Sequence, residues 1–241
     1  MIASKLATLI PFAAIVPFNL VEGQSAAALP DVTTIVKKMQ AASERQRSHL
    51  CSYSVTRLYT LQNKHIKPDA TMQVKLTYQR GESKHFQVLS MRAHGVARRS
   101  LEDLLKNELK IAEGQQDNNA VNTSNYRFAL IGEENCGSRR CYKLALTPRH
   151  KTKYMVEGTA WVNRDDYAVV RIAGHLAKSP SFWIKAPKVE QRFENVDGFW
   201  MPSYNHSSTR VLFFGEADLT IDYSDYRVQL CSPPGTERQE P

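Results

Sequence analysis

The sequence predicts an α+β protein built on one strongly curved antiparallel sheet, an incomplete β-barrel whose concave face is covered by helices. From Lys153 to Val228 the chain alternates short strands with tight turns. Within that region, Glu216–Tyr223 alternates polar and apolar residues, the pattern of a strand with one buried and one solvated face. Two amphipathic segments earlier in the chain are the predicted helices. A sheet of about ten strands tends to curl, and amphipathic helices can cover its hollow side without closing the barrel.

Residues 1–28 have the features of a secretory signal peptide. Lys5 supplies a short positive region, Leu6–Val21 an apolar core, and Ala26-Ala27-Ala28 a small-residue cleavage site. A membrane anchor is the less favoured alternative, because the apolar run is shorter than the roughly 20 residues that span a bilayer and is interrupted by Pro11, Pro17 and Asn19. We therefore expect a cleaved signal and a periplasmic protein.

The mature chain is expected to begin with a helix that runs from an N-cap at Asp31 to about Arg47. Apolar residues follow Asp31 at helical spacing, namely Val32, Ile35, Val36, Met39 and Ala42. Three segments of alternating character come next, around residues 53–61, 72–78 and 85–91, and each predicts a strand.

A second helix is predicted to begin at Ser100, where Asp103 completes a short capping box. Its apolar stripe consists of Leu101, Leu104, Leu105 and Leu109. The Gln- and Asn-rich segment from Glu113 to Asn125 is expected to be a mobile loop. Seven further strands are predicted at 126–133, 142–147, 154–163, 167–175, 182–195, 199–214 and 216–228, with Asp197-Gly198 as the clearest hairpin turn.

One domain, residues 29–231, is expected, followed by a polar, disordered tail at 232–241. The chain has a formal net charge of +8, and its lysines and arginines are scattered along the sequence. Nucleic acid is therefore not an expected partner. The charge favours either anionic headgroups and envelope polymers or simple solubility.

Four cysteines in an exported chain favour disulfide bonds over free thiols. Cys136 and Cys141 flank a predicted four-residue hairpin loop at 137–140, and opposed strand positions beside a tight turn lie within disulfide range. Whether Cys51 pairs with Cys231 is left open. A zinc site formed by Cys136, Cys141 and His150 is the competing interpretation of the same spacing, and we expect no metal.

No motif in the sequence indicates catalysis or a cofactor. The chain lacks a G-x-S-x-G elbow, an H-E-x-x-H helix and a phosphate-binding glycine loop. The adjacent carboxylates Glu133-Glu134 and Asp165-Asp166 point to opposite faces if they lie on strands, and they are interpreted as solvated turn residues. A binding protein is therefore expected rather than an enzyme.

Residues 126–228 contain a distinctive series of segments, namely Arg127–Gly132, Cys141–Pro148, Ala160–Asn163, Asp166–Ile172 and Gly198–Pro202. They give a strand that ends in Thr-Pro, a Trp-Val strand, a turn, a returning strand and a hairpin that ends in Trp-x-Pro. This pattern resembles the C-terminal half of LolA-like outer-membrane lipoprotein-sorting proteins.

This resemblance implies an incomplete barrel with a helical lid around a hydrophobic cavity. It further implies a periplasmic carrier whose ligand is a lipoprotein acyl chain or another lipid, with an envelope membrane protein as a possible partner. The alternative is an envelope-stress sensor or partner-binding module with the same fold and no lipid cargo.

Strand alternation nominates the side chains that face the helices and would line such a cavity. These ligand-binding candidates are Val74, Leu76, Leu144, Leu146, Leu219 and Ile221. Packing beneath Leu101, Leu104 and Leu105 of the second helix is the alternative role for each.

Overall fold

The computed structural model describes residues 29–64, 66–82, 84–114, 120–180, 185–212 and 215–231, without the side chains of 66–68 and 110–114. The predicted signal peptide at 1–28 and tail at 232–241 lie outside these residues. The elements are, in chain order, α1 (Val32–His49), β1 (Leu50–Asn63), β2 (Ile66–Gln79), β3 (His85–Arg92), α2 (Gly95–Gly114), β4 (Tyr126–Cys136), β5 (Arg139–Pro148), β6 (Val156–Asn163), β7 (Val169–Leu176), β8 (Lys188–Val196), β9 (Phe199–Val211) and β10 (Gly215–Leu230).

The ten strands form one antiparallel sheet in the order β3-β2-β1-β10-β9-β8-β7-β6-β5-β4. The sheet is not closed, because β3 and β4 are its two terminal strands. The predicted ten-stranded antiparallel sheet with two helices is thus confirmed. Neither helix of the described residues is long and apolar enough to span a membrane.

One row of cross-strand partners crosses the whole sheet. Directly opposed residues of antiparallel strands point to the same face, so all ten members share one face. The row is Met91, Met72, Tyr59, Ile221, Asn205, Gln191, Ile172, Ala160, Leu144 and Leu130. It is apolar on both sides and polar at the central strands β8 and β9.

Helix α1 packs on the β5–β6 side of this face. Its N-cap is Asp31, whose carboxylate accepts a hydrogen bond from the Thr33 N–H at 3.0 Å. The buried side chains Ile35, Val36 and Met39 form a cluster with three sheet residues, Tyr142, Leu144 and Val162.

Helix α2 packs on the opposite side of the same face, over β1, β2 and β10. Ala97 and Leu101 are buried in a cluster with the sheet residues Tyr59, Met72, Val74 and Ile221. The helix begins at Gly95 rather than at Ser100, so the predicted capping box is wrong. Ser100 lies inside the helix, where its hydroxyl donates to the Val96 carbonyl. Burial of Ala97, one turn earlier, accounts for the additional turn.

The cysteine hairpin is tighter than predicted. Strands β4 and β5 extend to Cys136 and Arg139, which leaves a two-residue turn instead of a four-residue loop. Cys141 is opposite Glu134, so Cys136 is its diagonal neighbour on the same face. Cys136 and Cys141 are disulfide-bonded with Cα atoms 6.1 Å apart, so neither thiolate is available to zinc.

A second disulfide joins Cys51 to Cys231, at a Cα separation of 4.8 Å. It ties the start of β1 to the residue that follows β10. Two disulfides fit an oxidising compartment.

The interpretation of Glu133-Glu134 as solvated turn residues is wrong. Both lie on β4. The side chain of Glu133 is only 12% exposed and pairs with Arg140 and Arg164, because the extended hairpin places those guanidinium groups over it.

Candidate functional site

A cavity of about 880 Å³ lies between α1 and strands β7–β9. Its buried lining is apolar and includes Met39, Ile172 and Phe199, with Phe193 half-buried beside them. The exposed residues around it include the polar or charged Glu44, Arg45, Arg47, His49, Asp166 and Asp197 and the apolar Ala41 and Leu230. Ligand cavities of proteins typically have this volume and this mainly apolar lining.

The sheet splits next to this cavity. Strands β9 and β10 pair as far as Tyr204 and Asp222. Beyond that point, in the described residues, β10 pairs only with β1 up to Leu230, while residues 199–202 of β9 pair only with β8. Trp200 and Leu230, one from each separated strand, both line the cavity. The split therefore creates an opening at the cavity, on the face of the sheet that α1 and α2 cover (the covered face).

Side chains hold the unpaired edge of β9 in place of a neighbouring strand. The Gln46 side chain of α1 donates to the Trp200 carbonyl at 2.9 Å and accepts from the Trp200 N–H at 3.0 Å. The Tyr226 hydroxyl of β10 donates to the Pro202 carbonyl at 2.6 Å. The Trp200 indole donates to the Asp166 carboxylate at 2.7 Å. These contacts fix the wall of the cavity to α1 and to β10.

A buried polar cluster lies under α2 on the same face. The Arg57 side chain is 11% exposed, and its Nη1 donates to Glu108 Oε2 at 2.7 Å and to the Tyr59 hydroxyl at 3.3 Å. The Tyr59 hydroxyl donates to the other Glu108 oxygen at 3.1 Å. The guanidinium lies over two rings, 5.7 Å from the centroid of Phe86 and 5.1 Å from that of Tyr223. An arginine is thus placed in a largely aromatic setting.

Burial shifts the ionisation of the groups around Arg57. It raises the pKa of Tyr53 to about 12 and also raises the pKa of Tyr223 and of Tyr226. The pKa of Lys84 is lowered, first by burial and then by the positive charge of Arg57. A second cation therefore lies within electrostatic range of the guanidinium.

The Arg57 cluster and the cavity lie at the same level of the sheet. Arg57 is the cross-strand partner of Tyr223. This pair lies two residues along the strands from the pair formed by Tyr59 and Ile221, on the same face of the sheet. On β8 and β9, the pair at that level is Phe193 and Pro202. Three strand steps, from β1 through β10 and β9 to β8, separate Arg57 from the cavity residue Phe193.

The six sequence-predicted candidates lie elsewhere on this face. Val74, Ile221 and Leu219 contribute to the cluster under α2, and Leu144 to the cluster under α1. Leu146 is buried with Tyr126 and Met155, and Leu76 is fully buried. None of the six lines the 880 Å³ cavity; their part in ligand binding stays a prediction.

Two signals for this candidate site were present in the sequence. Pro202 interrupts a strand pattern, and proline within a sheet marks an edge or a bulge because it cannot donate to a ladder; it lies where β9 leaves β10. Arg57 lies between Val55 and Tyr59 in the alternating series of strand residues that face the core. Its charged side chain must therefore face the core as well.

Among the described residues, no group of three or more His, Cys, Asp or Glu side chains is placed to hold a metal ion.

A family model described as a family of unknown function, DUF5686, matches residues 117–226. This range covers most of β4–β10 and the cavity wall from β7 to β9. No curated protein matches the chain.

Solved structures similar to this chain include proteins of the LolA class. One is a putative outer-membrane lipoprotein-sorting protein domain from Vibrio parahaemolyticus, at 13% identity over 85% of this chain and 95% of that one, with a TM-score of 0.45. Another is a LolA superfamily protein from Nitrosomonas europaea, at 16% identity over 85% and 96% of the two chains, with a TM-score of 0.37.

A third similar structure is the MucA/MucB complex of Pseudomonas aeruginosa, at 12% identity over 82% of this chain and all of the matched chain, with a TM-score of 0.29. With TM-scores below 0.5, these likenesses do not identify a ligand.

Proposed function

We propose that this protein binds a lipidic ligand in the cavity between α1 and β7–β9, as a periplasmic binding or carrier protein. The cavity itself is the observation that supports this proposal. Its buried lining is apolar, most of its exposed surroundings are polar, and it lies where the sheet splits. An acyl chain needs an apolar lining and a way in, and this part of the fold offers both.

The energetics favour a long-chain ligand. Each buried methylene contributes about 0.8 kcal/mol, so a single acyl chain reaches useful affinity without a charged contact. Lipoprotein acyl chains are the cargo that the sequence resemblance implies. Export through a cleaved signal at 1–28 belongs to the same proposal, and the two disulfides fit it.

The test is to purify the full chain from a native cell envelope, extract it with organic solvent and analyse the organic phase by mass spectrometry. We expect lipid in stoichiometric amount. Protein that yields no lipid and also fails to bind a fluorescent fatty acid would overturn the proposal.

A partner-binding module is the second candidate, and the terminal strand β3 favours it. Val88 and Leu89 are 45% and 48% exposed on this strand. Terminal strands can accept a strand from another protein. Lipid-free protein that still captures an envelope protein, with capture abolished by Leu89→Lys, would support this function instead.

A further inference from the structure

The Arg57 guanidinium carries an unused donor in a buried position. Nη1 is occupied by Glu108 and Tyr59. Nε is shielded from solvent, and among the residues that the structure describes it has no hydrogen-bond partner. Leaving a charged donor buried and unpaired costs free energy, so a buried arginine normally has each such group paired with an acceptor.

The charges around this donor do not balance. Lys84 lies two residues before Phe86, whose ring packs against the guanidinium. Arg57 and Lys84 thus supply two positive charges, and Glu108 supplies the negative charge of the described cluster. One positive charge is left in a partly desolvated setting, where an added anion would be bound strongly.

We propose that Arg57 and Lys84 bind the anionic headgroup, a carboxylate or a phosphate, of the ligand whose apolar chain occupies the cavity. This inference rests on the proposed lipid-binding function and names its ligand class. The headgroup accepts a hydrogen bond from Arg57 Nε, on the side of the guanidinium that Glu108 leaves free.

The geometry of the split allows one amphiphile to reach both places. Arg57 and Phe193 are three strand steps apart, each about 5 Å where strands pair and wider at the split, a span comparable to the length of an extended long acyl chain. The hydroxyl of Tyr226 lies between them, where it bridges the two separated strands at Pro202. Tyr223, whose ring lies 5.1 Å from the Arg57 guanidinium, is within electrostatic range of the Asn205 side chain of β9. Polar and aromatic groups of β9 and β10 therefore lie between the cluster and the cavity.

The test compares ligands that share one chain and differ in the headgroup. Palmitate and monopalmitoyl phosphatidic acid are the carboxylate and phosphate probes, and cetyl alcohol is the neutral one. We expect wild-type protein to bind at least one anionic probe about tenfold or more tightly than cetyl alcohol, the magnitude of a charge-assisted hydrogen bond. Whichever anionic probe binds more tightly identifies the headgroup.

Arg57→Gln is expected to remove this preference, measured as the ratio of the affinity for the anionic probe to the affinity for cetyl alcohol. The matched control is Arg171→Gln, whose guanidinium pairs with Glu190 on the opposite face of the sheet, and it should keep the preference. If Arg57→Gln does not fold, the same measurement is made on Lys84→Gln and Glu108→Gln. Lys84→Gln should weaken anion binding severalfold, while Glu108→Gln should strengthen it, because it removes the carboxylate that competes for the guanidinium.

Equal affinity of wild-type protein for the anionic and neutral probes would overturn this inference and leave the proposed function standing. Retained preference in Arg57→Gln, or weaker anion binding in Glu108→Gln, would also overturn it. Binding of none of the three probes would count against the lipid-binding function itself.

Discussion

Gln46 and Trp200 lie 154 residues apart in the chain and are joined by a reciprocal pair of hydrogen bonds, at 2.9 and 3.0 Å. The Gln46 amide satisfies both main-chain groups of Trp200, as a residue of an adjacent strand would. It does so where β9 has separated from β10, and it thereby fastens α1 to the wall of the cavity.

Gln46→Ala is expected to loosen this wall. Loss of two hydrogen bonds of about 1 kcal/mol each should lower the free energy of unfolding by about 1–2 kcal/mol. Amide exchange should rise in the second half of α1 and at Trp200, measured by hydrogen–deuterium exchange with mass spectrometry. The control is Gln40→Ala, on the same helix and beside the same cavity; an equal effect of both variants would show that Gln46 has no special part.

Cavity and core positions should respond differently to a buried amide. Ile172 lines the cavity. Ile172→Asn should therefore lower the free energy of unfolding by about 2–4 kcal/mol and should also reduce the amount of lipid bound per folded molecule. Leu146→Asn, outside the cavity, should lose stability with a smaller change in lipid stoichiometry. Quantifying lipid on the folded fraction distinguishes them, and a loss of lipid in Leu146→Asn alone would favour the sequence-predicted positions over the cavity.

The glycine pair Gly158 and Gly174 should tolerate no side chain. They are cross-strand partners on β6 and β7. A Cβ at Gly158 would overlap the main-chain oxygen of Ala173, and one at Gly174 would overlap that of Glu157. Because backbone must shift, Gly158→Ala is expected to destabilise the fold by about 1–3 kcal/mol in chemical denaturation. The neighbouring change Thr159→Ala is the control, and equal stability of the two variants would contradict this packing.

Alkaline pH should unfold the protein through its buried tyrosines. The pKa of Tyr53 is raised to about 12, and those of Tyr59 and Tyr226 are also raised, chiefly by burial. An unfolded tyrosine ionises near pH 10, so the folded state holds more protons above that pH and stability falls as pH rises from about 10 to 12. The lowered pKa of Lys84 has the opposite effect, since it makes stability rise with pH. The effect of this one lysine is outweighed by that of several tyrosines.

This alkaline transition can be followed by phenolate absorbance together with circular dichroism. Tyr53→Phe should move it to higher pH, whereas Tyr154→Phe, at a 37% exposed position, should leave it in place. Complete ionisation of all tyrosines near pH 10 with the fold intact would be inconsistent with these shifts.

Much of the fold could be predicted from local patterns. The alternation at Glu216–Tyr223 placed Ile221 on the covered face, and the register confirms it. The Asp197-Gly198 turn was predictable because both residues adopt positive φ, 51° and 88°, which few other dipeptides accept. Asp31 was recognisable as an N-cap from its chemistry alone.

The cavity could not be predicted in the same way. It depends on the separation of β9 from β10, which is a property of pairing between distant segments rather than of any one segment. Its lining residues Phe193 and Phe199 are apolar and cannot be distinguished in the sequence from residues of an ordinary core. The start of α2 at Gly95 was missed because burial of Ala97 extends the helix beyond Ser100 towards its N-terminus, as far as a glycine with a φ of 54°.

Quenching of Trp200 by a brominated acyl chain tests the central claim most directly. Trp200 lines the cavity. Trp161 does not line it, and is buried with Cys141 and Val170 in a cluster against which Trp200 also packs. We predict that brominated fatty acid quenches the tryptophan fluorescence of the wild-type protein, that Trp200→Phe removes most of this quenching, and that Trp161→Phe retains it. Saturable binding with quenching that is unaffected by Trp200→Phe would place the ligand outside this cavity and contradict the account.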